Sequence, residues 1–296
     1  MPPSASVSPL HFLIAESETP EERAERRRSA GKSSGETYQS TLQQLRPGCD
    51  ITIMRPAEAD APRPSEQSFD QYDAVVLTGS PLHVYDDTPE VRRQLDFMRA
   101  VFTAGIPSFG SCAGLQVAVT AAGGRCRKME RRMEAGVARA IVRTNEGRDH
   151  PLLNGRPAVW DAPAIHGDEV DELPAGAVLL ASNAAVRVQA VEIRHRRGVF
   201  WGVQYHPELA IGEIGAALRR QAADLVSAGL ARDEADVVGR ADLLDALHDS
   251  PGDPALRWLA GIDGEFADEA SRRRELNNFI SALPELDGRA RLADHP

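Results

Sequence analysis

Cysteine is scarce in this chain: Cys49, Cys112 and Cys126 are the only three in 296 residues. Their number is odd and their spacing follows no ligand pattern, so the sequence implies neither a disulfide framework nor a zinc site, and no cofactor. An excess of positive charge is missing as well. Lys and Arg total 34 against 44 Asp and Glu, and the formal net charge of −10 argues against nucleic acid or an anionic membrane surface as a partner. The one basic cluster, ERAERRR from Glu22 to Arg28, is interleaved with acids and reads as a solvated helix face. No apolar run approaches the ~18 residues needed to span a bilayer. The opening stretch MPPSASVSPLHFLIA lacks the basic residues and the long apolar run of a secretory signal. Internal repeats and low-complexity tracts are absent too. These absences leave the expectation of a reduced, cytoplasmic protein, and 42% hydrophobic residues suffice for a sizeable core.

What is present is an alternation of short β-type runs with helical stretches. HFLIA (His11 to Ala15) reads as a first strand, and Pro20 to Leu45 as helical, interrupted at Gly31–Gly35 by a flexible surface loop. ITIMRP from Ile51 is a second strand, followed by a loop rich in turn formers, AEADAPRPSEQS. AVVLTG (Ala74 to Gly79) is continuously apolar, as a strand in the middle of a parallel sheet must be. Asp87-Thr88-Pro89-Glu90 then offers a helix start with an Asp cap, and Val91, Leu95, Met98 and Phe102 follow on one helical face. IPSFG is the next strand, and Leu115 to Ala122 a helix ended by Gly123-Gly124. This order predicts an α/β fold built on an open parallel sheet. From Gly136 the pattern turns β-rich (VARAIV, AVLLAS, VQAVEI, VFWGVQ), and beyond Glu208 it is helical again, with a last helix from about Asp268 to Leu283.

Chemistry concentrates at Gly110-Ser111-Cys112-Ala113-Gly114. A G-x-nucleophile-x-G stretch between a strand and a helix is a nucleophile elbow, whose tight turn demands small neighbours. Cys112 occupies its centre, and Ser111 lies off-centre. A thiol at a helix N-terminus is activated by the positive end of the dipole, and the backbone N–H of Ala113 is placed to meet a developing oxyanion. A buried structural cysteine is the competing reading, and a base decides between them. Among the eight histidines, His11, His83, His150, His248 and His295 lie at element edges or in polar stretches, where a solvated role is expected, and His195 sits in a hairpin turn. His206 instead ends the apolar strand VFWGVQY, and Glu208 two residues on projects to the same side, able to fix its tautomer.

These residues carry a resemblance. Gly-Ser-Cys-Ala-Gly-Leu-Gln with the downstream Gly-Val-Gln-Tyr-His-Pro-Glu resembles the class I (triad) glutamine amidotransferases, with Cys112, His206 and Glu208 at the catalytic positions. Leu77-Thr78-Gly79-Ser80-Pro81 resembles the family's glycine turn, and Ile165-His166-Gly167-Asp168-Glu169-Val170 the His-Gly-Asp stretch of the glutaminase domain of GMP synthase. The resemblance covers about residues 10 to 215. It implies a flavodoxin-like open, mostly parallel sheet with helices on both faces, an oxyanion hole at Gly79 and Ala113, and substrate contacts from Gln116, Ser80, His166, Asp168 and Tyr205. It further implies hydrolysis of the glutamine side-chain amide through a cysteine thioester, with ammonia handed to an acceptor or partner protein.

Two departures qualify it. Ala113 stands where relatives often carry a bulky residue, which reshapes the pocket. The Ser-Gly-Gly-x-Asp phosphate loop and second large domain of a complete GMP synthase are missing, so the expectation is a stand-alone glutaminase-like unit at residues 1–222 with a helical extension at 223–296. The extension's apolar positions (Leu243, Leu244, Leu247; Leu256, Trp258, Leu259; Leu276, Phe279, Ile280) suit a cap packed on the sheet, a homodimer contact being the alternative. A γ-glutamyl peptidase or hydrolase is the second enzymatic reading, and a non-catalytic binding module the third. An α/β-hydrolase is disfavoured because its acid lies between nucleophile and histidine in the chain.

Overall fold

The computed structural model describes residues 9–62, 66–130 and 133–288. The strands are β1 (His11–Ala15), β2 (Asp50–Met54), β3 (Ala74–Leu77), β4 (Ser108–Ser111), β5 (Arg125–Lys128), β6 (Glu134–Arg143), β7 (Val159–His166), β8 (Asp168–Glu172), β9 (Ala177–Ser182), β10 (Ala190–His195) and β11 (Gly198–Val203). The helices are α1 (Pro20–Ala30), α2 (Ser34–Leu45), α3 (Pro89–Ala104), α4 (Ala113–Ala121), α5 (Ile211–Arg220), α6 (Ala222–Ser227), α7 (Glu234–Asp249), α8 (Pro254–Ala260), α9 (Gly264–Ala267), α10 (Glu269–Arg272) and α11 (Arg274–Leu286). Among the described residues the main sheet has nine strands in the order β2-β1-β3-β4-β11-β10-β9-β6-β7, and β5 pairs with β8 in a separate ribbon. From β2 through β11 all pairings are parallel; from β11 onward they are antiparallel.

The two faces of the parallel half are filled by alternate side chains, as the two-residue strand period requires. Phe12 and Ile14 of β1, Val76 of β3 and Phe109 of β4 share one cluster with Tyr38 and Leu42 of α2 and with Leu276, Phe279 and Ile280 of α11. Leu13, Ala15, Val75 and Leu77 point the other way, against Phe97, Met98, Val101 and Phe102 of α3 and Leu115 and Val119 of α4. Helices thus cover both faces, as the flavodoxin-like expectation requires. A third cluster joins Ile211, Ile214 and Leu218 of α5 to Val237, Ala241 and Leu244 of α7.

Several local expectations change. The helix beginning at Pro89 is capped by Thr88, whose hydroxyl accepts from Val91 N, and not by Asp87, which is drawn to Arg92 instead. Strands β5, β7 and β8 were not anticipated, because RCRK and DEVDE are too polar to read as sheet. β5 and β8 pair with each other, with most of their polar side chains wet, while β7 lies at the edge of the main sheet with one face buried. The stretch Gly31–Gly35 is no flexible surface loop: Ser33, Ser34 and Gly35 are buried. Ser33 Oγ and Gly35 N both donate to Glu16, and Ser34 N donates to Glu18 at 3.0 Å. The basic cluster is solvated at Glu25 and Arg28 only in part of its length, for Arg23 is buried and pairs with Glu58, and Arg26 reaches Glu213. His150, expected in solvent, lies edge-on to Trp201 with Nε2 3.1 Å from Glu192. His295 lies outside the described residues.

Residues beyond 222 pack in two places. α7 lies on α5, and α11 sits in the same apolar cluster as the central strands. Trp258 and Leu259 do not join them, being 80% and 57% exposed on α8. Buried charge anchors α11. Arg156 Nε and Nη2 each donate to Glu275 at 2.7 Å, and Tyr205 donates to the same carboxylate at 2.7 Å. Glu275 is fully buried. Such a pair is costly to break from one side, since the survivor is left as an uncompensated buried charge. Glu275→Ala is therefore expected to cost about 3–5 kcal/mol of stability. The paired replacement Arg156→Met with Glu275→Leu should cost clearly less, as read by urea unfolding.

Candidate active site

The carboxyl ends of β3, β4 and β11 face one edge of the sheet, which is where open α/β sheets hold their ligands. β4 leads into Cys112, whose φ of +50° and ψ of −111° lie outside the ordinary regions for a non-glycine residue. Its N–H is tied to Val203 O at 2.9 Å and its carbonyl accepts from Gln116 N at 3.1 Å, so the surrounding bonds hold the strained turn. The flanking glycines are obligatory. A Cβ on Gly114 would lie 2.5 Å from Leu77 O, and one on Gly110 would lie 2.9 Å from Gly114 C. The elbow read from the sequence is present, with Cys112 at the entrance to α4.

His206 follows β11 directly, its N–H held by Pro163 O at 2.7 Å. Its Nδ1 faces Glu208 Oε1 at 2.7 Å. A Cβ on Gly79 would meet His206 Cε1 at 3.0 Å and Cys112 Cβ at 3.8 Å, so the Gly79 turn, the thiol and the imidazole converge. Burial opposes a charge on the ring, but Glu208 and then Cys112 outweigh it, and His206 is pushed up to about 10, the direction that favours a protonated ring. Cys126, by contrast, is a buried thiol with no such partner, and burial pushes it up to about 12.

Other expected residues are placed as follows. Ala113 opens α4, so its N–H is among the first-turn amides that lack an intrahelical acceptor. Gln116, buried on α4, directs its amide to Gln204 Oε1 at 3.3 Å and to Asp168 O at 3.4 Å. Ser80 Oγ accepts from Leu82 N at 3.3 Å and shapes the loop after Gly79. His166 is held between the Asp168 carbonyl at 2.9 Å and Glu134 at 3.0 Å. The Asp168 carboxylate takes a hydrogen bond from Tyr85 at 2.9 Å and lies 2.6 Å from His83 Nδ1. Tyr205 is not brought to a substrate position: its ring is fully buried and its hydroxyl is committed to Glu275.

Sequence reasoning passed over residues that the structure brings in. His83 and Tyr85, stacked at 5.3 Å, bracket Asp168, and His83 is half exposed, as its polar stretch suggested. Tyr38 and Ser111 stand behind Glu208, and Thr41 Oγ1 donates to Glu208 O at 3.3 Å. The signal for Ser111 was available, since two residues from core-facing Phe109 it must share that face. Nothing local announces Tyr38.

A cysteine turned out of a central parallel strand, with a histidine–glutamate pair at the end of the neighbouring strand, is the architecture of an α/β amidohydrolase or amidotransferase. The chain belongs to the class-I glutamine amidotransferase family, whose model matches residues 32–224. It is 37% identical over 224 residues to a gamma-glutamyl-L-1-hydroxyisopropylamide hydrolase of a Pseudomonas species, covering 74% of this chain and 75% of that protein. It is 34% identical over 147 residues to the glutamine-hydrolyzing GMP synthase of Thermomicrobium roseum, covering 49% of this chain and only 25% of the synthase. A glutamine amidotransferase from Thermotoga maritima superposes over 93% of this chain and 98% of its own, with a TM-score of 0.57. One from Methylobacillus flagellatus covers 92% and 96% with a TM-score of 0.56. At 16% identity both bear on the fold alone. Among the described residues no helix is long and apolar enough to cross a membrane.

The raised His206 depends on Glu208 to offset burial. In ¹⁵N-histidine NMR the His206 ring should titrate near pH 10, and in Glu208→Gln its titration should move to lower pH, with Cys112 alone left to offset burial. An unchanged titration would refute that origin of the shift.

Proposed function

We propose that the chain hydrolyses γ-glutamyl amides, glutamine being the simplest, through a thioester on Cys112. The observation that carries this is the meeting of the strained Cys112 turn with a His206 ring backed by Glu208 at 2.7 Å. The Cys112 thiolate attacks the amide carbonyl carbon, and the oxygen takes up the negative charge facing the Ala113 N–H and the Gly79 turn. One lost oxyanion donor costs on the order of 10²–10³ in rate. The imidazolium of His206 gives its proton to the departing nitrogen as the C–N bond breaks, leaving the thioester and ammonia or an amine. His206, now neutral, takes a proton from water, which attacks the thioester. Glutamate leaves and the thiolate is restored. Glu208 holds the ring and balances its charge in both half-reactions.

Gln116, Ser80, His166 and Asp168 belong to this reading as substrate-side residues, with the Asp168 carboxylate the natural acceptor for the substrate's ammonium group. Delivery of ammonia to a partner protein is the amidotransferase form of the same chemistry. A second reading, in which the leaving group is an alkylamine and no ammonia acceptor is needed, is favoured by two observations. Ala113 puts only a methyl group next to Cys112 in the chain, and the hydrolase from Pseudomonas resembles this chain over three quarters of both lengths, whereas the synthase shares a quarter of its own.

Cys112→Ala is expected to abolish amide hydrolysis while leaving the circular-dichroism spectrum and unfolding midpoint intact. Turnover retained in that protein would remove Cys112 from the mechanism. With it as blank, mass spectrometry of glutamine against γ-glutamyl alkylamides and dipeptides separates the two forms. Preferential release of ammonia from glutamine supports the first, and preferential release of an amine the second.

A further inference from the structure

The inner side of Glu208 is built as carefully as the side facing His206. Ser111 Oγ donates to Glu208 Oε1 at 3.1 Å, the same oxygen that faces His206 Nδ1. Tyr38 Oη in turn donates to Ser111 Oγ at 2.7 Å. Tyr38 and Ser111 are both fully buried, and Thr41, one turn further along α2, holds the Glu208 carbonyl. The chain of donors is one-directional. A carboxylate can only accept, so the serine hydroxyl must donate to it and is left with lone pairs for the phenol. Burial, and then the Glu208 charge, push the Tyr38 phenol well above its ordinary range, so it remains a donor wherever the protein is folded.

We infer that Tyr38 and Ser111 are positioning residues of the reaction: a two-hydroxyl relay that fixes the rotamer of Glu208 and thereby the pairing of His206 with the Cys112 thiolate. Packing alone does not account for them. A serine hydroxyl facing an apolar helix at the end of β4 would be a buried polar group without purpose, whereas here it completes an uninterrupted series from α2 to the imidazole. α2 itself is pinned at its start by the Glu16 and Glu18 carboxylates, so the phenol is delivered from a fixed point. The relay also gives the residue before the nucleophile a task of its own, independent of the identity of the amide.

This inference rests on the Cys112–His206–Glu208 reading, and its test separates the two. The pH dependence of Cys112 alkylation by iodoacetamide is measured in the wild type, Tyr38→Phe, Ser111→Ala and the double variant, together with kcat and KM for the best γ-glutamyl amide. Tyr38→Phe keeps the buried ring and carries the test alone if Ser111→Ala does not fold. Loss of a hydrogen bond to a buried charge corresponds to a fall in kcat of about tenfold or more. KM should stay within about twofold, because the relay lies behind the carboxylate and away from substrate. A poorly aligned Glu208 supports the imidazolium less, so the alkylation midpoint should move to higher pH in each variant. The double variant should resemble Ser111→Ala, since the phenol acts through the serine. Slow alkylation of the wild type at neutral pH would defeat the triad reading. Fast alkylation with unchanged midpoints in the variants, or losses in kcat that multiply in the double variant, would defeat the relay and leave the triad standing.

Discussion

The conformation of one residue organises this molecule. Strand β4 must become helix α4 within a single step, and only the unusual φ of Cys112 achieves it. Everything adjacent yields to that demand. Gly110 and Gly114 have no side chains because backbone occupies the space where Cβ atoms would be, and Val203 of the neighbouring strand ties down the cysteine N–H. Because β11 supplies that tie and His206 follows three residues beyond its end, the same register that strains Cys112 also brings the His206 ring to the Gly79 turn beside it. The strain, the parallel pairing and the base are one constraint expressed in three places.

The surrounding chemistry is a study in buried carboxylates. Glu208, Glu16 and Glu275 are all nearly inaccessible, and each accepts from more than one donor, Glu208 through Oε1 alone. Glu208 meets an imidazole and a serine hydroxyl; Glu16 meets Ser33, the Gly35 N–H and Arg55; Glu275 meets Arg156 and Tyr205. Desolvation makes each of these carboxylates costly unless its partners are fixed. In return each ties together segments distant in sequence. Glu16 anchors α2, and α2 presents Tyr38 to the elbow.

How much of this was legible follows from the range of the interactions involved. The elbow, the His206–Glu208 pair and the alternation of strands and helices are local patterns, written within a few residues, and the apolar strands β1, β3, β10 and β11 are uniform enough to read directly. The polar strands β5 and β8 escaped because they pair in a separate ribbon that gives the core only Cys126 and Val170, too few for an apolar pattern to show. The stretch at Gly31–Gly35 looked like a loop because small polar residues ordinarily face water; the carboxylates of Glu16 and Glu18, from the segment after β1, turn it inward. Tyr205 was misplaced for the same reason. Its position beside His206 suggested substrate, but strand alternation sends its ring to the opposite face, where Glu275 waits some seventy positions later.

That bond between Tyr205 and Glu275 has a consequence for how the molecule comes into being. The residue immediately before His206 is secured by a helix some seventy positions further along the chain. A nascent chain that has already emerged past Glu208 holds its nucleophile, base and carboxylate, yet lacks the partner that satisfies Tyr205 and Arg156. Until α11 docks, two buried polar groups beneath β11 remain exposed to water, and the strand end carrying His206 is without its support. The surroundings of the elbow are thereby completed only when α11 docks, a dependence carried by a single glutamate.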